Sequence, residues 1–168
     1  MNTMTTFLSC ALVFFLSLNA LSVSAADQPP AYKGIELGSG ISKIIQDKRF
    51  ICKRTDSPVA EQSCRLLAGY TEDLYGAPLS TLTLNYFNSK LSTMVITFES
   101  IHFKAIRDGL KQAYGPPKRS VEKYVTPKAW VFKGYIYTWK NQAFVIDAVE
   151  YFSAAGESAV LYKIEPDP

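Results

Sequence analysis

Histidine is nearly missing from this chain: His102 is the only one. No metal centre is expected, since such sites draw on several His, Cys or carboxylate ligands. A Ser-His-Asp triad would have to use His102, and no Gly-x-Ser-x-Gly elbow accompanies it; Gly38-Ser39-Gly40 only mimics that pattern. The phosphate-cradling glycine motifs are absent too, because Gly34, Gly38 and Gly40 are not spaced as Gly-x-Gly-x-x-Gly. No cofactor is expected. No Asn-x-Ser/Thr sequon occurs, which favours a bacterial periplasm over a glycosylating secretory route. The net charge is only +3, too small a bias to imply a nucleic-acid partner.

Long apolar runs are equally scarce, and the one present is informative. Phe7 to Val23 carries no charge and is almost wholly apolar; the small residues Ser22-Val23-Ser24-Ala25-Ala26 then precede the first acid, Asp27. This is the pattern that a signal peptidase reads. Residues 1–25 are expected to be a cleavable signal, with Val23 and Ala25 at the recognition positions; cleavage after Ala26 is the alternative. The amino-terminal region has no Lys or Arg, so an uncleaved anchor is the competing reading. Against it, the run is short of the ~20 residues a span needs, and Asn19 interrupts it. Cys10 lies inside the run, whereas a lipid-modified cysteine would follow it. The protein is expected to be periplasmic or secreted, with no integral span after cleavage.

About 140 residues then remain, enough for one domain with its own core. Residues 26–33 read as a flexible leader and 34–168 as a single domain. Cys52 and Cys64 are the cysteines left after cleavage, and an even count in an exported chain predicts a disulfide.

Hydrophobic spacing predicts an α+β fold: an antiparallel meander sheet with a short N-terminal helix and a longer central helix on one face. Gly34 to Gly38 reads as a brief strand. Ile41, Ile44 and Ile45 predict a helix over 40–48 with Ser39 as N-cap. The polar stretch 50–63 reads as an irregular loop tied by the disulfide, and Leu66 to Tyr70 as a strand. Thr81, Thr83 and Asn85 alternate with Leu82, Leu84 and Tyr86; Thr93, Val95 and Thr97 alternate with Met94, Ile96 and Phe98. Keeping one face apolar requires Leu84 opposite Met94, Leu82 opposite Ile96 and Thr81 opposite Thr97, hence a three-residue loop Asn88-Ser89-Lys90. Ser100 then reads as the cap of a helix over 101–114, striped by Phe103, Ile106, Leu110 and Ala113 and stopped by Gly115-Pro116-Pro117. Gly109 inside it costs about 1 kcal/mol relative to Ala, and reads as a mark of close packing on the sheet. Beyond a basic loop the chain reads as short antiparallel strands over 129–133, 135–140, 142–152 and 158–164. Both halves run helix, glycine, loop, meander, the pattern of a distant duplication, with chance likeness as the alternative.

The segment Gly34-Ile35-Glu36-Leu37-Gly38-Ser39-Gly40-Ile41-Ser42-Lys43-Ile44, and the helix ending Ala113-Tyr114-Gly115-Pro116, resemble small bacterial exported proteins. These include the SmpA/OmlA-type outer-membrane assembly lipoproteins and the β-lactamase-inhibitor-protein-like fold. The resemblance implies a helix-plus-antiparallel-sheet domain that binds other proteins and catalyses nothing. The chain departs from the lipoproteins in having no lipidated cysteine at the cleavage point, and a disulfide loop where they often carry a second helix.

The candidate functional residues fall in the C-terminal half. Tyr135, Tyr137 and Trp139 share one face of their strand, and such side chains are enriched at interfaces. They are expected to form a binding platform on the helix-free face, unless they are simply core. Lys118, Arg119 and Lys123, with Lys128 nearby, form a candidate anion-contact loop. Asp147 with Glu150, and Glu72 with Asp73, are the nearest approach to paired acids, and neither spacing suits acid–base work. The expectation is a small binding module for a protein of the cell envelope and not an enzyme; the alternative is a cell-envelope hydrolase or small-ligand carrier.

Overall fold

The computed structural model describes residues 30–125, 132–153 and 155–165. The expected signal, the first part of the leader, Lys128 and the first part of the expected strand 129–133 lie outside them. The sheet is built from β3 (Phe50–Ser57), β4 (Ala60–Leu66), β7 (Thr81–Phe87), β8 (Lys90–Glu99), β9 (Arg119–Val125), β10 (Phe132–Lys140), β11 (Phe144–Val149) and β12 (Glu157–Ile164). Its eight strands run in the order β3-β4-β7-β8-β12-β11-β10-β9, and every neighbouring pair is antiparallel. Small hairpins β1 (Ala31–Tyr32) with β2 (Ile35–Glu36), and β5 (Asp73–Leu74) with β6 (Ala77–Pro78), lie apart from it. The helices are α1 (Ser42–Gln46) and α2 (Phe103–Tyr114). The α+β class, with an antiparallel sheet, a short first helix and a longer second one, is as the spacing predicts.

The strand order has a symmetry of its own. Each half runs helix, then four strands of the large sheet, and the halves meet at their last strands, β8 and β12. The two halves thus repeat one order of elements.

One face of the sheet carries the core. Leu82, Leu84, Met94, Ile96, Phe98, Ile146 and Val160 are buried together with Ile41 and Ile44 of the α1 region and Phe103, Ile106 and Leu110 of α2. Each such side chain contributes about 1.5–3 kcal/mol by leaving water. The helix α2 starts later than Ser100 suggests. Ser100–His102 is a 3-10 turn, and Ser100 Oγ bonds the Gly156 carbonyl at 2.6 Å and Ser158 Oγ at 2.7 Å, tying the helix start to β12. His102 is half-buried in that turn. Gly115 ends α2 at φ 77 and ψ −167, an extended positive-φ conformation that glycine adopts without steric cost. Ser39 likewise does not cap α1, whose N-cap is Ile41.

The register of β7 with β8 is the one the apolar face demands: Leu84 opposite Met94, Leu82 opposite Ile96, Thr81 opposite Thr97. The turn that delivers it differs. Phe87 pairs with Lys90 around Asn88 and Ser89, which have φ of 50 and 59, and the register shifts beyond Asn85. A two-residue turn with positive φ at both positions therefore combines with a bulge, and the extra residue keeps the apolar side chains on one face.

Several expectations are corrected. The stretch 50–63 is not an irregular loop but most of the β3–β4 hairpin. Its strands show little alternation because β3 is an edge with charge on it, and the inward pair is largely the disulfide itself. Cys52 sits directly opposite Cys64 and is bonded to it. Leu67 to Tyr70 is not strand but the link after β4. The basic loop is not a loop: Arg119 and Lys123 lie in edge strand β9, with Lys118 just before it. The exposed Lys118 and Arg119 side chains suit a sheet edge, where charge discourages pairing with other chains. The flexible leader ends sooner than expected, since Pro30 and Tyr32 are buried in the core.

Candidate functional site: the helix-free sheet face

The aromatic stripe is on the covered side. Trp139 is 3% exposed and its Nε1–H donates to the Gly115 carbonyl at 2.8 Å, at the end of α2. The Tyr137 ring lies 6.0 Å from that of Phe103, with the Arg107 guanidinium and Lys111 ammonium 5.6 and 5.8 Å from its centroid. Tyr135 is half-buried beside Tyr137, with ring centroids 6.1 Å apart. Trp139 and Tyr137 fasten α2 to β10, with Tyr135 beside them on the same face, so the expected platform of Tyr135, Tyr137 and Trp139 is corrected to the helix-covered face of the sheet. Alternation along β10 identified their common face; that α2 would cover it is long-range information absent from the local pattern.

The opposite face is left without a helix over it, and its register can be followed across the whole sheet. One row runs Arg119, Thr138, Asp147, Leu161 from β9 to β12, then Val95, Thr83, Arg65, Ile51 from β8 to β3. The next runs Lys140, Val145, Lys163, then Thr93, Asn85, Ser63, Lys53. In these rows Val95, Leu161 and Val145 are half-exposed, and Arg119, Lys140, Arg65, Lys53 and Ile51 are exposed. A third row, with Val149, Ala159 and Thr97, is buried.

The first two rows are mainly cationic and only partly neutralised, while Glu99 and Glu157 face each other on the same side further along β8 and β12. Asp147 accepts from Thr138 Oγ1 and Lys163 Nζ, each at 2.7 Å, and Lys140 reaches Glu165 at 2.6 Å. Lys53, Arg65 and Arg119 have no ion pair among the described residues. Arg119, expected in a loop, stands on this face, as do Lys53, Arg65, Lys140 and Lys163, which no motif in the sequence marks. The outward positions of Lys140 and Lys163 were nevertheless encoded in the period-two alternation of β10 and β12.

Glu72, Asp73 and Asp47 serve as struts. Glu72 accepts from Lys33 Nζ at 2.7 Å, Arg49 Nη1 at 2.8 Å and Tyr32 Oη at 3.1 Å, while Asp73 also takes Lys33 and Asp47 takes Arg49. The Lys33 bond, followed by those from its other partners, holds the Glu72 carboxyl below its ordinary range, despite a burial penalty in the other direction. Burial, with Glu72 beside it, raises the Tyr32 hydroxyl. The cluster ties the β1–β2 hairpin to the start of β3 and to β5.

At the β3–β4 corner of the open face lies a cavity of about 520 Å3, bordered by Ile51, Arg65, Leu67, Tyr70, Leu79 and Thr81 among others. A smaller one, about 290 Å3, lies beyond the end of α2 between Tyr114, Trp139, Phe144 and Lys118.

No family model, no curated protein and no solved structure matches this chain.

Proposed function

We propose that this is an exported binding protein that engages a protein of the cell envelope through the helix-free face of its sheet. The reading rests chiefly on one observation: on this face half-exposed Val95 and Leu161 pair side by side, with Thr83 beyond Val95, half-exposed Val145 lies between Lys140 and Lys163, and Lys53, Arg65 and Arg119 of the same rows have no ion pair among the described residues. Apolar centre with charged rim is how protein interfaces are composed. The apolar leader and the disulfide support export, since such bonds persist in oxidising compartments.

Two measurements test this. The protein purified from a periplasmic fraction should begin at Ala26, read by N-terminal sequencing. A photo-reactive residue at Val95 or Leu161 should yield cross-linked protein adducts in intact cells, and the same residue at exposed Ile45 of α1 should not. Equal adducts from both faces, or none from the open one, would reject the reading.

A further inference from the structure

We infer that the corner cavity is a recognition pocket for an apolar residue of the partner that lies next to a carboxylate, with Arg65 holding the carboxylate. The inference rests on the proposed use of the open face, and names the chemistry of what docks there.

Exposed apolar side chains converge on this corner. Ile51 is 47% exposed, Leu67 37% and Tyr70 47%, and all of them border the cavity, whose inner wall includes Leu79. Leaving such groups wet is unfavourable unless something covers them part of the time. The volume, about 520 Å3, is within the range of ligand clefts. Charge then selects the occupant. Arg65 is the sole charged residue bordering the cavity among the described residues, and it has no acidic partner among them. A guanidinium beside apolar walls suits a carboxylate carried by an otherwise apolar group, because its planar fork matches that anion.

Position favours a protein segment over a free small molecule. Arg65, Ile51 and Thr81 are both walls of the cavity and outward residues of the sheet rows, so an occupant is continuous with whatever covers the face. Arg65 lies directly across from Thr83, and Thr83 from Val95. A chain lying over Val95 can therefore place its next side chains in the corner.

The test is a titration of the leaderless protein, followed by amide NMR shifts, with short peptides as probes. Peptides in which leucine or phenylalanine adjoins glutamate or a free C-terminus should shift the amides of residues 65–70 and 79–81. Replacing the acid by lysine, or amidating the terminus, should weaken binding about tenfold or more, as should Arg65→Gln, in line with loss of a charged hydrogen bond. Leu67→Asp should abolish it, and the amide spectrum of each variant reports its folding directly. Equal binding of acidic and lysine peptides, shifts elsewhere, or full affinity in Arg65→Gln would overturn the inference. So would decanoate binding as tightly as the best peptide, which would make the occupant a free amphiphile. If cross-linking through Val95 and Leu161 persists in Arg65→Gln while the peptides fail, only the pocket assignment falls. Peptide binding without such cross-links would instead remove the wider face.

Discussion

The ring of Tyr75 occupies the space that a side chain at Gly109 would need: its Cγ, Cδ1 and Cδ2 atoms are the nearest neighbours of a Cβ placed there. A glycine in the middle of α2 is thus explained by a contact with the turn of the β5–β6 hairpin, and not with the sheet. The hairpin holds Tyr75 at φ 53 to make it.

Gly109→Ala should therefore destabilise the protein although alanine is the better helix former. Overpacking costs about 1–3 kcal/mol, against a propensity gain of about 1 kcal/mol. In a Tyr75→Ala background the same change should become stabilising by about that gain. Urea unfolding of the four members of the cycle checks this; additive effects would reject the contact as the reason for the glycine.

Tyr86 is 1% exposed and its hydroxyl finds no hydrogen-bond partner among the described residues. Tyr86→Phe should stabilise by about 1 kcal/mol, because an unpaired buried hydroxyl carries a desolvation penalty without return. Thermal unfolding at neutral pH reads it as a rise of roughly 2–4 °C.

Stability should fall at both ends of the pH scale, for different reasons. Glu72, Asp47 and Asp73 are held below their ordinary values of 4.5, 3.8 and 3.8 by the cations they accept from. Their contribution is complete above those values and lost as pH falls through the folded ones. Glu72→Gln should cost about 2 kcal/mol at pH 7 and flatten the acid limb. Burial pushes the Tyr75 and Tyr86 hydroxyls up to about 12 from 10.0, so their ionisation opposes the folded state and stability falls as pH rises from 10.0 to about 12. Denaturant melts across pH 2 to 12 separate the limbs, and a flat profile would contradict both.

Cys52→Ala with Cys64→Ala should cost about 3 kcal/mol in the chain-entropy view of a short closed loop. The bond pins the outermost strand of the first half. Hydrogen exchange should accelerate in β3 and β4 well before β8 and β12; uniform acceleration would mean that the bond supports the whole fold.

How far the residues alone reach depends on how local the governing force is. The register of β7 with β8 was legible because a one-residue slip would turn Leu82 and Leu84 outward. The stripe of α2 was legible from Phe103, Ile106 and Leu110 for the same reason. The hairpin around the disulfide was not, because an edge strand bearing Lys53, Arg54 and Asp56 shows no apolar period to read. The aromatic stripe was legible as a stripe but not as to its side: Tyr137 and Trp139 look alike to local pattern whether α2 or solvent lies above them. The corner cavity was illegible, since it assembles Ile51, Arg65, Tyr70 and Leu79 from separate strands and their connection.

The junction of β8 with β12 carries a kinetic corollary. Strands made early and late in synthesis share the central ladder, with Glu99 opposite Glu157 and Thr93 opposite Lys163. Until β12 arrives, the first meander exposes β8 as a raw edge with one buried face uncompleted, and contacts so distant along the chain form slowly. Such a polypeptide completes its sheet only once synthesis is nearly over, and deleting β12 should leave one chain whose two sheet halves expose β8 and β11 as raw edges and aggregate rather than fold as two small stable units.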